Sequence, residues 1–78
     1  MEKVFISALP FKVTEPELQA YFEPYGQVTS LELHADWEEA SFEPYAVVEM
    51  ENAEDAIKAL DGKIIGSTYL RVNKLVVL

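Results

Sequence analysis

No cysteine occurs among the 78 residues, which excludes disulfides, thiolate catalysis and cysteine-ligated zinc. Histidine is nearly as scarce: His34 stands alone. Acid–base work by a histidine pair is therefore excluded, and no serine or threonine stands in a recognisable nucleophile motif. Long apolar runs are missing too. None approaches the ~20 residues that span a bilayer, and no signal peptide opens the chain. Positive charge is sparse, with 6 Lys and Arg against 14 Asp and Glu and a net charge of −8. That field repels phosphate backbones and anionic membranes. Its plain effect is solubility; its sharper implication is a protein partner with a basic patch. The expectation is a non-enzymatic chain without cofactor or metal, away from membranes and complete or nearly so. It belongs inside the cell, in the cytoplasm or, in a eukaryote, the nucleus.

Half of the residues are apolar, enough for a packed core, and the length fits one domain over residues 1–78. Residues 3–8, KVFISA, alternate: Lys3, Phe5 and Ser7 face one way, Val4, Ile6 and Ala8 the other, as in a strand. TEPELQAYFEPYG reads as a helix. Thr14 and Glu17 form a capping box, Pro16 occupies the first turn, Leu18 and Phe22 make the apolar stripe, and Pro24 and Gly26 stop it. Residues 28–35 form a second strand, whose broken alternation near Thr29 suggests a bulge or a late start. An acidic loop follows, then a third strand over 44–50 with Tyr45, Val47 and Glu49 on one face. NAEDAIKALDG reads as a second helix, capped by Asn52 with Asp55 completing the box and ended by Gly62. YLRVNKL is the fourth strand.

The order β-α-β-β-α-β implies an α+β ferredoxin-like sandwich. Two amphipathic helices cover one face of a four-stranded antiparallel sheet and leave the other open. Function on the sheet lies on that open face.

Over essentially its whole length the chain resembles the RNA-recognition motif family, and its compact size resembles the small single-domain members found in bacteria. VFISAL (4–9) is similar to the family's hexamer motif and EPYAVVEM (43–50) to its octamer. EPYGQV, ENAEDAIKALDG and LRVNK also sit where such domains carry similar phrases. The resemblance implies the strand order 4-1-3-2 and an open face that stacks single-stranded RNA bases on aromatic rings. By position Phe5 is the hexamer ring and Tyr45 the first octamer ring, and the alternation independently puts both on the open face. The competing reading is that both rings belong to the core.

Several positions depart from the family pattern. Val47 replaces the second octamer ring and offers apolar contact without a π-face. Glu43 replaces a phosphate-contacting base, Pro44 a glycine, and Ala8 a frequent asparagine. An anion in place of a cation costs ~1–3 kcal/mol, about one stacked base. Lys3, Arg71 and Asn73 remain as polar contacts for RNA, unless Lys3 and Arg71 pair with Glu32 and Glu49 across the sheet. Weak single-stranded RNA binding through Phe5, Tyr45, Val47, Lys3, Arg71 and Asn73 is thus the first functional expectation.

The alternative is an acidic protein-interaction module. Trp37, flanked by carboxylates with Phe42 nearby, suits a contact with basic residues, or else folds back over the sheet edge. The family's protein-binding subtype with an Arg-X-aromatic signature finds only GSTYL here. Asp36, Glu38, Glu39 and Glu43 lack calcium-loop spacing and its glycine. The KLVVL tail can extend the fourth strand, lie over the sheet or make a dimer contact, so the chain is expected as a monomer or weak dimer.

Overall fold

The structure, a computed structural model, describes residues 2–76. Strand β1 spans Glu2–Ser7, α1 Glu15–Phe22, β2 Val28–His34, β3 Tyr45–Met50 and α2 Ala53–Leu60. Two short strands, β4 (Ile64–Ile65) and β5 (Thr68–Tyr69), precede β6 (Arg71–Leu75), and a 3-10 turn over Glu23–Tyr25 follows α1. The main sheet is antiparallel in the order β2-β3-β1-β6, with β4 and β5 as a separate ribbon. Counting β6 as the fourth strand, this is the expected 4-1-3-2 arrangement.

Alternation sorts the two faces. Val4, Ile6, Ala46, Val48, Met50 and Val72 are buried beneath the helices. They meet Leu18 and Phe22 of α1 and Ala53, Ala56 and Leu60 of α2 in one core. Each large side chain buried there stabilises the fold by roughly 1.5–3 kcal/mol.

The start of α1 follows its sequence. The Glu17 amide donates to the Thr14 hydroxyl at 3.3 Å, and that hydroxyl donates to the Glu17 carboxylate at 2.9 Å. Caps of this kind contribute about 1 kcal/mol. Gly26 is required by space: a Cβ there would run into the Glu51 carbonyl.

Three local expectations need correction. Asn52 stands at the N-cap of α2 but makes no side-chain capping bond, because its backbone is left-handed at φ 57°. Asparagine is there for its dihedral tolerance. The third strand begins at Tyr45, one residue later than expected, which leaves Pro44 in the loop with Glu43. The fourth strand begins at Arg71, and Tyr69 belongs to the β4–β5 ribbon that turns at Gly66, φ 62°. Asp61 meets this rearranged segment, its carboxylate accepting the Val72 amide at 3.0 Å.

The irregularity near Thr29 is a bulge. Val28 faces Met50 while Ser30 faces Glu49, so two steps of β2 match one of β3. Val28 and Leu31 thereby pack together against the core, and Ser30, Glu32 and His34 turn to the open face. Val77 and Leu78, which carry the question of the tail, lie outside the described residues; Val76 is exposed. No helix among the described residues is long and apolar enough to cross a membrane.

Candidate nucleic-acid interface

One row crosses the open face on all four strands: Asn73, Phe5, Val47 and Glu32 stand in register on β6, β1, β3 and β2. Arg71 pairs with Ser7 on one side of that row, and Lys3 lies between Leu75 and Glu49 on the other. The six residues expected to contact RNA therefore share one surface. Phe5, Tyr45 and Val47 are half-buried, while Lys3, Arg71 and Asn73 are exposed. The core reading of the two rings fails, because the opposite face holds Val4, Ile6, Ala46 and Val48 at 0% exposure.

Phe5 and Tyr45 stack at 5.6 Å between centroids with planes 21° apart. Tyr45 stacks in turn on His34 at 4.8 Å and 20°. Alternation along β2 puts His34 on this face, and only its register opposite Tyr45 brings it into the row of rings. Such offset contacts hold aromatic faces in mutual register.

Beside the rings is an open hollow of about 580 Å³, lined by Phe5, Ser7, Ala8, Glu43, Tyr45 and Thr68 among others. Ala8 and Glu43 thus border the rings, as their motif positions imply. Thr68 arrives from β5, an element that no sequence signal marked.

The two basic residues expected to reach RNA, Lys3 and Arg71, are not cancelled by the carboxylates of the face. Among the described residues, Lys74 pairs with Glu2 at 3.2 Å, and the His34 ring nitrogen meets Glu32 at 3.4 Å, a contact that is ionic only when the imidazole is protonated. Lys3 and Arg71 form no ion pair among them, so cross-sheet pairing with Glu32 and Glu49 is not what occupies them. Lys74 points to the helix side, with Val72, and is tied to Glu2.

The acidic loop is organised by its own carboxylates. Asp36 accepts the Glu38 amide at 3.2 Å. The Ser41 hydroxyl, at 2.8 Å, and then the Ser41 amide, at 3.3 Å, hold the Glu39 carboxyl below its ordinary value. Trp37 is half-buried against the core and meets Phe11 edge-on at 5.6 Å. Phe42 and Phe11 are the open rings of this end, 41% and 70% exposed. With Trp37, Asp36 and Glu39 they border a hollow of about 260 Å³.

The RNA recognition motif model matches residues 4–71. A provisionally named RNA-binding protein of Nostoc sp. strain PCC 7120, RbpE, is 39% identical over 74 residues, covering 91% of this chain and 75% of the relative. The third such domain of Pes4 superposes with a TM-score of 0.87 at 22% identity, over 100% of this chain and 95% of that one. The Sxl-lethal protein in its complex with RNA superposes with a TM-score of 0.76 at 28% identity, over 91% of this chain and 46% of that one. By sequence and by fold, the chain belongs to the RNA recognition motif family.

Proposed function

We propose that this chain binds single-stranded RNA weakly on the open sheet face, stacking bases on Phe5 and Tyr45. The observation that carries this reading is the pair of rings stacked at 5.6 Å on the face that the helices leave open. The RNA named in the relatives and in the Sxl-lethal complex supports it. Each stacked base contributes ~1–3 kcal/mol. Val47 adds apolar contact beside Phe5, Lys3 and Arg71 reach phosphates, and Asn73 hydrogen-bonds a base edge. Glu43, Glu32 and Glu49 oppose the phosphates and keep the affinity low.

An amide NMR titration with short single-stranded RNAs of mixed sequence, at low salt, tests this. Shifts confined to residues around Phe5, Tyr45 and Arg71 are the expected result. No shift at near-millimolar RNA would sink the reading.

A second reading, a contact with a protein bearing a basic patch, is favoured by the hollow between exposed Phe11 and Phe42 with Asp36 and Glu39 at its border. Trp37 supports the wall of that hollow, and Phe42 supplies its open ring. Titration with short Lys- and Arg-rich peptides separates the two, since shifts would fall around Phe11 and Phe42 and leave Phe5 unmoved.

A further inference from the structure

We propose that His34 is a third base-stacking ring of the interface and makes RNA binding proton-dependent, tighter in mildly acid solution. This rests on the sheet-face reading and adds to it a residue from β2 and a response to pH.

Geometry carries the first half. The octamer position that has lost its ring, Val47, stands opposite Phe5 on one side and Glu32 on the other. No ring surface continues along that row. It continues instead diagonally from Phe5 to Tyr45 and then straight across to His34, each plane within 21° of the last. The three rings come from β1, β3 and β2, so the aromatic surface reaches the edge strand of the sheet. A strand of RNA laid across Phe5 and Tyr45 meets the imidazole next. A neutral imidazole stacks on a base, and an imidazolium adds a charge that attracts the neighbouring phosphate.

Charge carries the second half. Imidazole is the side chain whose ordinary titration falls between about pH 5 and 8, and His34 is the only one in the chain. The groups around it are few. On its own strand Glu32 lies 3.4 Å away, and on β3 Tyr45 lies against the ring. Asp36 and Glu43 follow at the strand ends, and no strand lies on the far side of β2. With side chains 45% and 73% exposed, the His34–Glu32 contact is screened by solvent and is therefore weak. The carboxylates Glu32, Glu43 and Glu49 on and beside the face are opposed there by Lys3 and Arg71, so a proton on His34 adds a third cation to that set.

Fluorescence anisotropy with a labelled, mixed-sequence single-stranded RNA at low salt, near pH 5.5 and pH 8, tests the proposal on the full chain. Wild type is expected to bind about three- to tenfold tighter at the lower pH, a change of one favourable charge contact. His34→Phe keeps a ring and loses the pH response. His34→Ala loses the response and about fivefold or more in affinity as well. Because His34 lies on an exposed edge, amide spectra of both variants should match wild type elsewhere.

If Phe5→Ala weakens binding while His34→Ala does not, and the pH response survives in His34→Phe, the role of His34 is overturned and the sheet-face reading stands. If the response alone survives in His34→Phe, its proton dependence is overturned. If wild type binds at neither pH, or Phe5→Ala changes nothing, both readings fall together.

Discussion

Phe5 and Tyr45 stack although they are not paired across the sheet: Phe5 stands opposite Val47, and Tyr45 is its diagonal neighbour on β3. Diagonal positions lie about 7–8 Å apart, within reach of aromatic side chains. A stacked pair contributes about 0.5–1.5 kcal/mol beyond area burial. Phe5→Ala and Tyr45→Ala are therefore expected to lower stability modestly and sub-additively, with a coupling in that range in a double-mutant cycle of denaturant unfolding. Each should also weaken RNA binding by about fivefold or more, measured by anisotropy. Additive losses of stability would mean that the rings do not support one another.

Glu43 borders the same hollow as the two rings, exposed in the loop before β3. An RNA backbone passing there meets an anion where its family relatives' pattern has a cation. Glu43→Arg removes a repulsion and adds a phosphate contact, so affinity should rise about tenfold at low salt. The slope of log affinity against log salt should steepen by about 0.7, one phosphate more for a single strand. Unchanged affinity and slope would place the backbone elsewhere.

Ala8 holds φ at +56°, in the left-handed region that costs an ordinary residue about 1 kcal/mol or more. Asparagine is tolerated there through local hydrogen bonding, and glycine for want of a Cβ. The family's frequent asparagine at this motif position thus has a backbone reason as well as any RNA contact. Ala8→Asn and Ala8→Gly should each raise the unfolding midpoint by several degrees, about 0.5–1 kcal/mol in a domain of this size. Lower stability in both variants would mean that the surrounding turn depends on the alanine methyl.

How far the sequence foretells this structure depends on the range over which each signal acts. Alternation along single strands fixes which residues share the open face, and the Thr14–Glu17 spacing fixes the start of α1. Those are local signals, and the structure follows them. Asn52 shows where the same logic misleads. Composition at an N-cap does not distinguish a side chain that bonds the helix from one chosen for a left-handed backbone. The ring row through His34 depends on the register of β2 against β3, which the bulge at Thr29 shifts. No pattern within β2 alone reveals a partner on another strand. The β4–β5 ribbon was hidden for a related reason: two residues per strand are too short to show a period. That the six residues share one face was readable from alternation, with motif position agreeing for Phe5, Tyr45 and Val47. Thr68 was not, because tertiary pairing brings it there, and alternation put His34 on the face without revealing its stack on Tyr45.

Asp61 offers the clearest test of how β6 is held. At the end of α2 its carboxylate accepts the Val72 amide at 3.0 Å, in a part-buried setting. β6 is an edge strand bonded to β1 on one side only, so this amide would otherwise lack a ladder partner. The contact closes the edge and ties the strand carrying Arg71 and Asn73 to the helix layer. Leaving that amide unpaired costs about 1–3 kcal/mol. Asp61→Ala should therefore lower unfolding free energy by about that amount, and Asp61→Asn, which retains an acceptor, by clearly less. Hydrogen exchange should quicken most at Val72 in Asp61→Ala. If exchange there stays as slow as in wild type, water or another group satisfies the amide, and the position of Arg71 and Asn73 on the face does not depend on Asp61.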